Sequence, residues 1–328
     1  MEPRTTGMQT PASLSGDGDA WLASGLARAS AALDSTAPIL RHLVLQEDRD
    51  VFGDAVIAHV RGMVADVARQ LSLALCEAGG AGEGVVSSEI DVAAFSALLC
   101  GNGVFLAAMH GQALEWQLAQ RLEQDHGVDM AVAPLIADAV AAQDGARSAL
   151  AMAVLVAQSR FCQAQRRMQL PLDELPQDLF RIALGTLQAH AHERSEQERE
   201  EARSRAIIAE RSLRLRFDAE RGRNALLRRL VDALPVPRDA LNPLRAGPAL
   251  FLTALARAMH APREDAALLL APAQMTRLVL VMRSAGVDGA ALRATLGVFH
   301  PETVVPKDLD AMPPETAAAR LAQAGLGA

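Results

Sequence analysis

Apolar residues recur along most of this chain at gaps of three and four, the spacing of one helix face, and the alternation that marks a half-buried strand is missing. Val56, Val60, Met63, Val67, Leu71 and Leu75 form the longest such stripe, opened by Asp50 and closed by Gly79-Gly80. Upstream, Asp17 and Asp19 predict a helix from Ala20 to about Leu33. Ser35 or Thr36 ahead of Pro38 predicts a short one ending near Gln46. Ser87 or Ser88 caps the next helix, which Gly101-Asn102-Gly103 interrupts before it resumes at Val104 and stops at His126-Gly127. Asp129 opens a helix over 130–143, and Asp144-Gly145 turns the chain into another over 146–169. Pro171 and Pro176 bracket a turn, the expected domain boundary. Residues 20–170 are thus predicted to be an all-α bundle with short loops, preceded by a disordered leader over 1–19.

Past that turn the pattern becomes more polar. Residues 177–234 are expected to form one long, partly exposed charged helix, with Glu201/Arg205 and Glu210/Arg214 at the stabilising spacing of four. Ala202, Ala206, Ala209, Leu213, Phe217, Leu227, Val231 and Leu234 recur like a coiled-coil seam with a weak middle at Glu220 and Asn224. Pro235 and Pro237 end it. Residues 239–328 are divided by Pro and Gly into short helices, the last over Glu315 to Ala324. Laying Phe251 to Leu268 over Met275 to Leu292 matches Ala266-Ala267-Leu268 to Ala290-Ala291-Leu292, as stacked helical hairpins would. The run Phe251 to Met259, the turn Pro262-Arg-Glu-Asp265 and the segment Arg277 to Gly286 resemble the helical hairpins of a family of uncharacterised bacterial HEAT-like proteins. That resemblance implies a helical-repeat fold for the C-terminal part and carries over no catalytic residue.

Composition sharpens the fold class. Half of the chain is hydrophobic, only 3% is aromatic and tyrosine is absent, so the interior must be built from Ala, Leu and Val. Those residues favour close-packed helices over sheets, and the expected fold is all-α. A net charge of −7 argues against general affinity for nucleic acid or an anionic membrane. Cys76, Cys100 and Cys162 are odd in number, far apart and set in apolar runs, which predicts buried thiols in a reducing, cytoplasmic setting. Val92 to Leu114 carries no charged residue and is long enough to cross a bilayer. The Gly-Asn-Gly break predicts two buried helices there instead, with no membrane span.

Candidate chemistry is sparse. Glu123 and His126 have the spacing of a di-iron half-site, but no second pair accompanies them, and His190, His192 and Glu193 point in different directions on a helix. Gly79 to Gly84 lacks the Gly-Lys-Ser/Thr of a phosphate loop. No catalytic residue, metal or cofactor is therefore expected. The arginine-rich stretch gives the candidate partner-binding residues: Arg211, Arg214, Arg216, Phe217, Arg221 and Arg223. Three readings follow. The first is a non-enzymatic interaction or regulatory protein binding a protein partner, with self-association through residues 200–234. The second is nucleic-acid binding through Arg199 to Arg229. The third is a small-ligand carrier or enzyme with a pocket in the N-terminal bundle, suggested by Asn102, His110 and Gln112 in apolar surroundings.

Overall fold

The computed structural model describes residues 16–45, 53–80, 89–193, 195–302 and 305–324. Among them are fourteen α-helices and no strand. The first six are α1 (Gly16–Leu45), α2 (Asp54–Ala78), α3 (Glu89–Gly101), α4 (Gly103–His126), α5 (Pro134–Val140) and α6 (Gly145–Gln165). The arginine-rich region holds α7 (Gln177–His192), α8 (Glu196–Arg216) and α9 (Arg223–Ala233). The C-terminal part holds α10 (Pro243–Met259), α11 (Arg263–Leu268), α12 (Met275–Ser284), α13 (Gly289–Phe299) and α14 (Pro314–Gln323). Of the leader expected over 1–19, residues 1–15 fall outside the described residues and residues 16–19 are instead the first turn of α1; the caps at Asp50, Ser87 and Ser88 and most of the glycine-rich connection also fall outside the described residues.

Local chemistry fixes most boundaries. Asn102 accepts from the Phe105 backbone N–H at 3.0 Å and starts α4, while α3 and α4 meet at 94°. Among the described residues no single helix is long and apolar enough to cross a membrane. Asp144 and Asp288 cap α6 and α13. Asp129 instead closes a tight turn, accepting from Ala131 and Val132, and α5 begins only at Pro134. The predicted break near Ser35 does not occur: α1 runs through Pro38, and the Thr36 hydroxyl donates back to the Ala32 carbonyl at 2.8 Å, as in a helix interior.

The expected single helix over 177–234 is three helices. Phe217 leaves helical geometry at the end of α8 (φ −83°, ψ 129°) because its ring stacks flat on Phe180, with centroids 3.9 Å apart. The following turn, with Asp218 accepting from the Glu220 N–H, redirects the chain into α9. That turn falls at the weak middle of the sequence seam.

Two apolar cores organise these helices, and neither is a continuous stretch of chain. The first is built from α2, α3, the first half of α4, residues 170–191 and the inner face of α8. The second takes the last half of α4, α5, α6 and α9 through α14, with Leu22 of α1. The chain therefore visits the first core twice and the second three times, and the turn at Pro171 is a crossing from one to the other, not a boundary between domains. Helix α4 spans both: Phe105, Met109 and Ala113 lie in the first core, Leu118 and Leu122 in the second. Near its middle α11 crosses it closely. A Cβ at Gly111 would lie 2.7 Å from the Cα of Glu264, so glycine is what allows this approach. One turn further along the same face stands Glu115.

Candidate functional site

Glu115 is the only charged residue among the buried positions of α4, and it is 1% exposed. It meets two guanidinium groups, each placed by a helix start. Arg223, at the first position of α9, donates to both Glu115 oxygens, one of them at 3.3 Å. Its Nε donates to Gln158 of α6 at 2.7 Å, and its guanidinium lies 3.7 Å over the Phe161 ring. Arg263, which opens α11 beside Gly111, also grips both carboxylate oxygens, one at 2.8 Å. It further donates to the Thr253 hydroxyl at 3.1 Å and the Ala249 carbonyl at 2.9 Å. Burial alone would raise the Glu115 pKa, but the two arginines outweigh it and hold the carboxyl at about 2. Such a group stays ionised at neutral pH and has no proton to give. The cluster pins α4, α6, α9, α10 and α11 together at the junction of the two cores.

The candidate arginine surface divides accordingly. Arg223 does not belong to it: at 5% exposure it is part of the buried pin. Phe217 does not face outward either, since it packs with Leu213 against the first core. Arg211, Arg214, Arg216 and Arg221 are exposed. Arg214 pairs with Glu210 at 2.7 Å, Arg216 approaches Glu77 of α2 at 3.6 Å, and Arg221 approaches Asp218 at 3.3 Å. The apolar positions expected to form an intermolecular seam, Ala206 and Ala209, are buried against the chain's own helices. The opposite face of α8 exposes different apolar residues: Ile207 (59%), Ile208 (51%) and Leu215 (81%).

The remaining candidates have local roles. Glu123 and His126 are exposed at the end of α4, where Gly127 closes the helix at φ 67°. His190 reaches Asp91 of α3 at 3.1 Å and packs at a tilt against Phe95, whereas His192 contacts the Gln188 carbonyl and Arg203. Among the described residues no group of three or more His, Cys, Asp or Glu is placed to hold a metal ion. All three cysteines are free thiols; Cys100 and Cys162 are buried and Cys76 is half-buried. Burial raises the Cys162 pKa, which keeps the thiol protonated. Of the polar groups in the apolar α3–α4 run, Asn102 serves as a cap and His110 is half-buried, with its pKa lowered by burial. The Gln112 amide oxygen is buried without a hydrogen-bond partner. Comparison of the chain with family models, with curated proteins and with solved structures finds no match.

Sequence reasoning missed Glu115 and Arg263. The signal for Glu115 was present: it falls at helical spacing on the stripe of Ala108, Gly111, Ala119 and Leu122, a lone acid on an apolar face. A buried carboxylate demands cationic partners. Nothing in the spacing says that they come from residues 223 and 263.

Proposed function

We propose that this is a helical interaction protein that self-associates through the outer face of α8, two copies meeting antiparallel about a twofold axis. The carrying observation is the exposed trio Ile207, Ile208 and Leu215 on a helix whose inner face is already occupied. Charge selects a second copy as the occupant. The first part of α8 holds Glu196, Glu198, Glu200 and Glu201 against a single Arg199, and the remainder holds Arg203, Arg205, Arg211, Arg214 and Arg216 against a single Glu210. Ile207 and Ile208 sit next to the helix midpoint, so antiparallel pairing apposes them and lays each acidic end along a basic end. The helix dipole favours the same division of charge within one helix, which makes the exposed isoleucines the discriminating feature. Six of the ten arginines between 199 and 229 already hold a carboxylate of the same chain, which favours a protein partner over the free cationic face that nucleic acid needs. In this reading α2 and α7, which cover the inner face of α8, are the rigid platform behind the interface, and the α10–α13 region, taken as HEAT-like hairpins, lies in the other core.

Sedimentation velocity tests it. The wild type is expected to form a dimer that weakens as salt rises. Ile208→Asp and Leu215→Asp should each give a monomer with unchanged helicity, whereas Leu213→Asp should impair folding because Leu213 packs internally. A wild type that remains monomeric at high concentration and low salt would falsify the proposal.

A further inference from the structure

A cavity of about 350 Å³ lies between α1, the end of α10, α11, α12 and α14, with no α8 residue in its wall. Most of that wall is apolar, formed by Leu33, Met259, Leu268, Leu269, Val281 and Leu321. Close-packed interiors leave few voids larger than one water, and apolar walls give water no partners. Several polar groups of the wall are engaged within the fold. The Ser284 hydroxyl donates to the Val281 carbonyl at 2.8 Å, and the Gln274 amide donates to the Ala29 carbonyl at 2.7 Å. Arg277 donates to Gln274 at 3.1 Å and to Ser30 of α1 at 2.8 Å. Two acceptors are left over. Asp265 of α11 holds no cation and accepts no hydrogen bond among the described residues, and burial raises its pKa with nothing opposing it. The other acceptor is at the end of α10, where His260 closes the helix at φ 52°. The His260 and Ala261 N–H groups go to the Arg257 and Ala256 carbonyls, and the next residue, Pro262, has no N–H to give to the Ala258 carbonyl. Ala258 and His260 both line the cavity, and a helix C-terminus carries partial negative charge.

We infer that this cavity binds an aliphatic primary amine, its alkyl chain against the leucines and its ammonium on Asp265 and the end of α10. An ammonium brings donors and a positive charge to the one end of the wall that offers acceptors and a negative charge. A fatty acid would set its carboxylate against Asp265, and Arg277, the cation of the wall, is turned to Gln274 and Ser30. An alcohol would supply one donor and leave the Asp265 charge unpaired. A polyamine or a polar amino acid would press polar groups against leucine, at a cost that the wall does not repay. This inference is independent of α8 pairing, and its variants lie outside α8.

Isothermal titration and thermal shift of the full chain with octylamine, octanol and octanoate are the test. Octylamine is expected to bind and raise the Tm, at least about tenfold more tightly than octanol or octanoate, as a charged hydrogen bond provides. Asp265→Asn, which keeps the shape of the side chain and removes its charge, should bring octylamine to the level of octanol with helicity unchanged. Ala318→Trp fills the cavity from an exposed position of its wall and should abolish octylamine binding. The inference is overturned if octylamine does not bind the wild type, if octanol or octanoate binds as tightly, or if either variant binds octylamine like wild type.

Discussion

Helices α8 and α9 come from the same arginine-rich stretch and meet opposite fates. On α8 four of the six arginines stand near the surface beside acids three or four residues away, or beside the α2 residue Glu77. At the start of α9 a single arginine is carried into the interior and ion-paired with a carboxylate more than a hundred residues earlier in the chain. The same side chain is thus a solubilising group in one place and a structural pin in the other. What separates the two is the solvent around the pair. In water an ion pair gains little, because each charge was already well solvated. In the interior the charges have lost their water, so each depends on the other.

The largest expected effect comes from breaking the pin. Glu115→Ala leaves Arg223 and Arg263 facing each other without an anion and should cost about 3–5 kcal/mol in urea denaturation, enough to endanger folding of a marginally stable chain. An effect below about 1 kcal/mol would mean that the buried cluster is no more consequential than the pairs on α8.

Acid provides the next test. The Glu115 carboxyl is depressed from 4.5 to about 2, so its contribution is fully present above about pH 4.5 and is lost as pH falls toward 2. A shift of that size corresponds to about 3 kcal/mol. Stability measured across this window should fall in the wild type, and less steeply in Glu115→Ala, which has no such group to titrate. Parallel acid limbs for the two proteins would remove Glu115 as the cause.

The smallest effect belongs to α8. Arg214→Ala breaks an exposed pair and should change monomer stability by less than about 1 kcal/mol. Its consequence should appear instead as weaker dimerisation, read by sedimentation. If Arg214→Ala destabilised the fold as much as Glu115→Ala, the distinction between the two helices would fail.

Much of the helical architecture was legible because its signals are local. Asn102, Asp144 and Asp288 cap helices where their side chains can reach the next backbone N–H groups, and proline and glycine punctuate the C-terminal helices nearly as expected. The errors came where a local rule met a distant partner. Ser35 and Thr36 looked like a helix start, yet α1 continues through Pro38. The seam of Ala206, Ala209 and Leu213 was correctly apolar, but it is covered by the chain's own first core rather than by a second molecule. Phe217 and Arg223 looked like surface recognition residues and are instead held by Phe180 and Glu115.

Periodicity and composition determined that this protein is helical, which face of each helix is apolar, and where many helices begin. Those properties depend on neighbours within a turn or two of the same helix, and so they are written along the chain. The tertiary structure alone decided which faces meet. It routed the chain back and forth between two cores, let α11 approach α4 at Gly111, and delivered Arg223 and Arg263 to one buried carboxylate. An apolar stripe gains nearly the same free energy against any apolar partner, because burial is non-directional. The choice among partners rests on side-chain shape and on the few buried charges that must find each other across the fold.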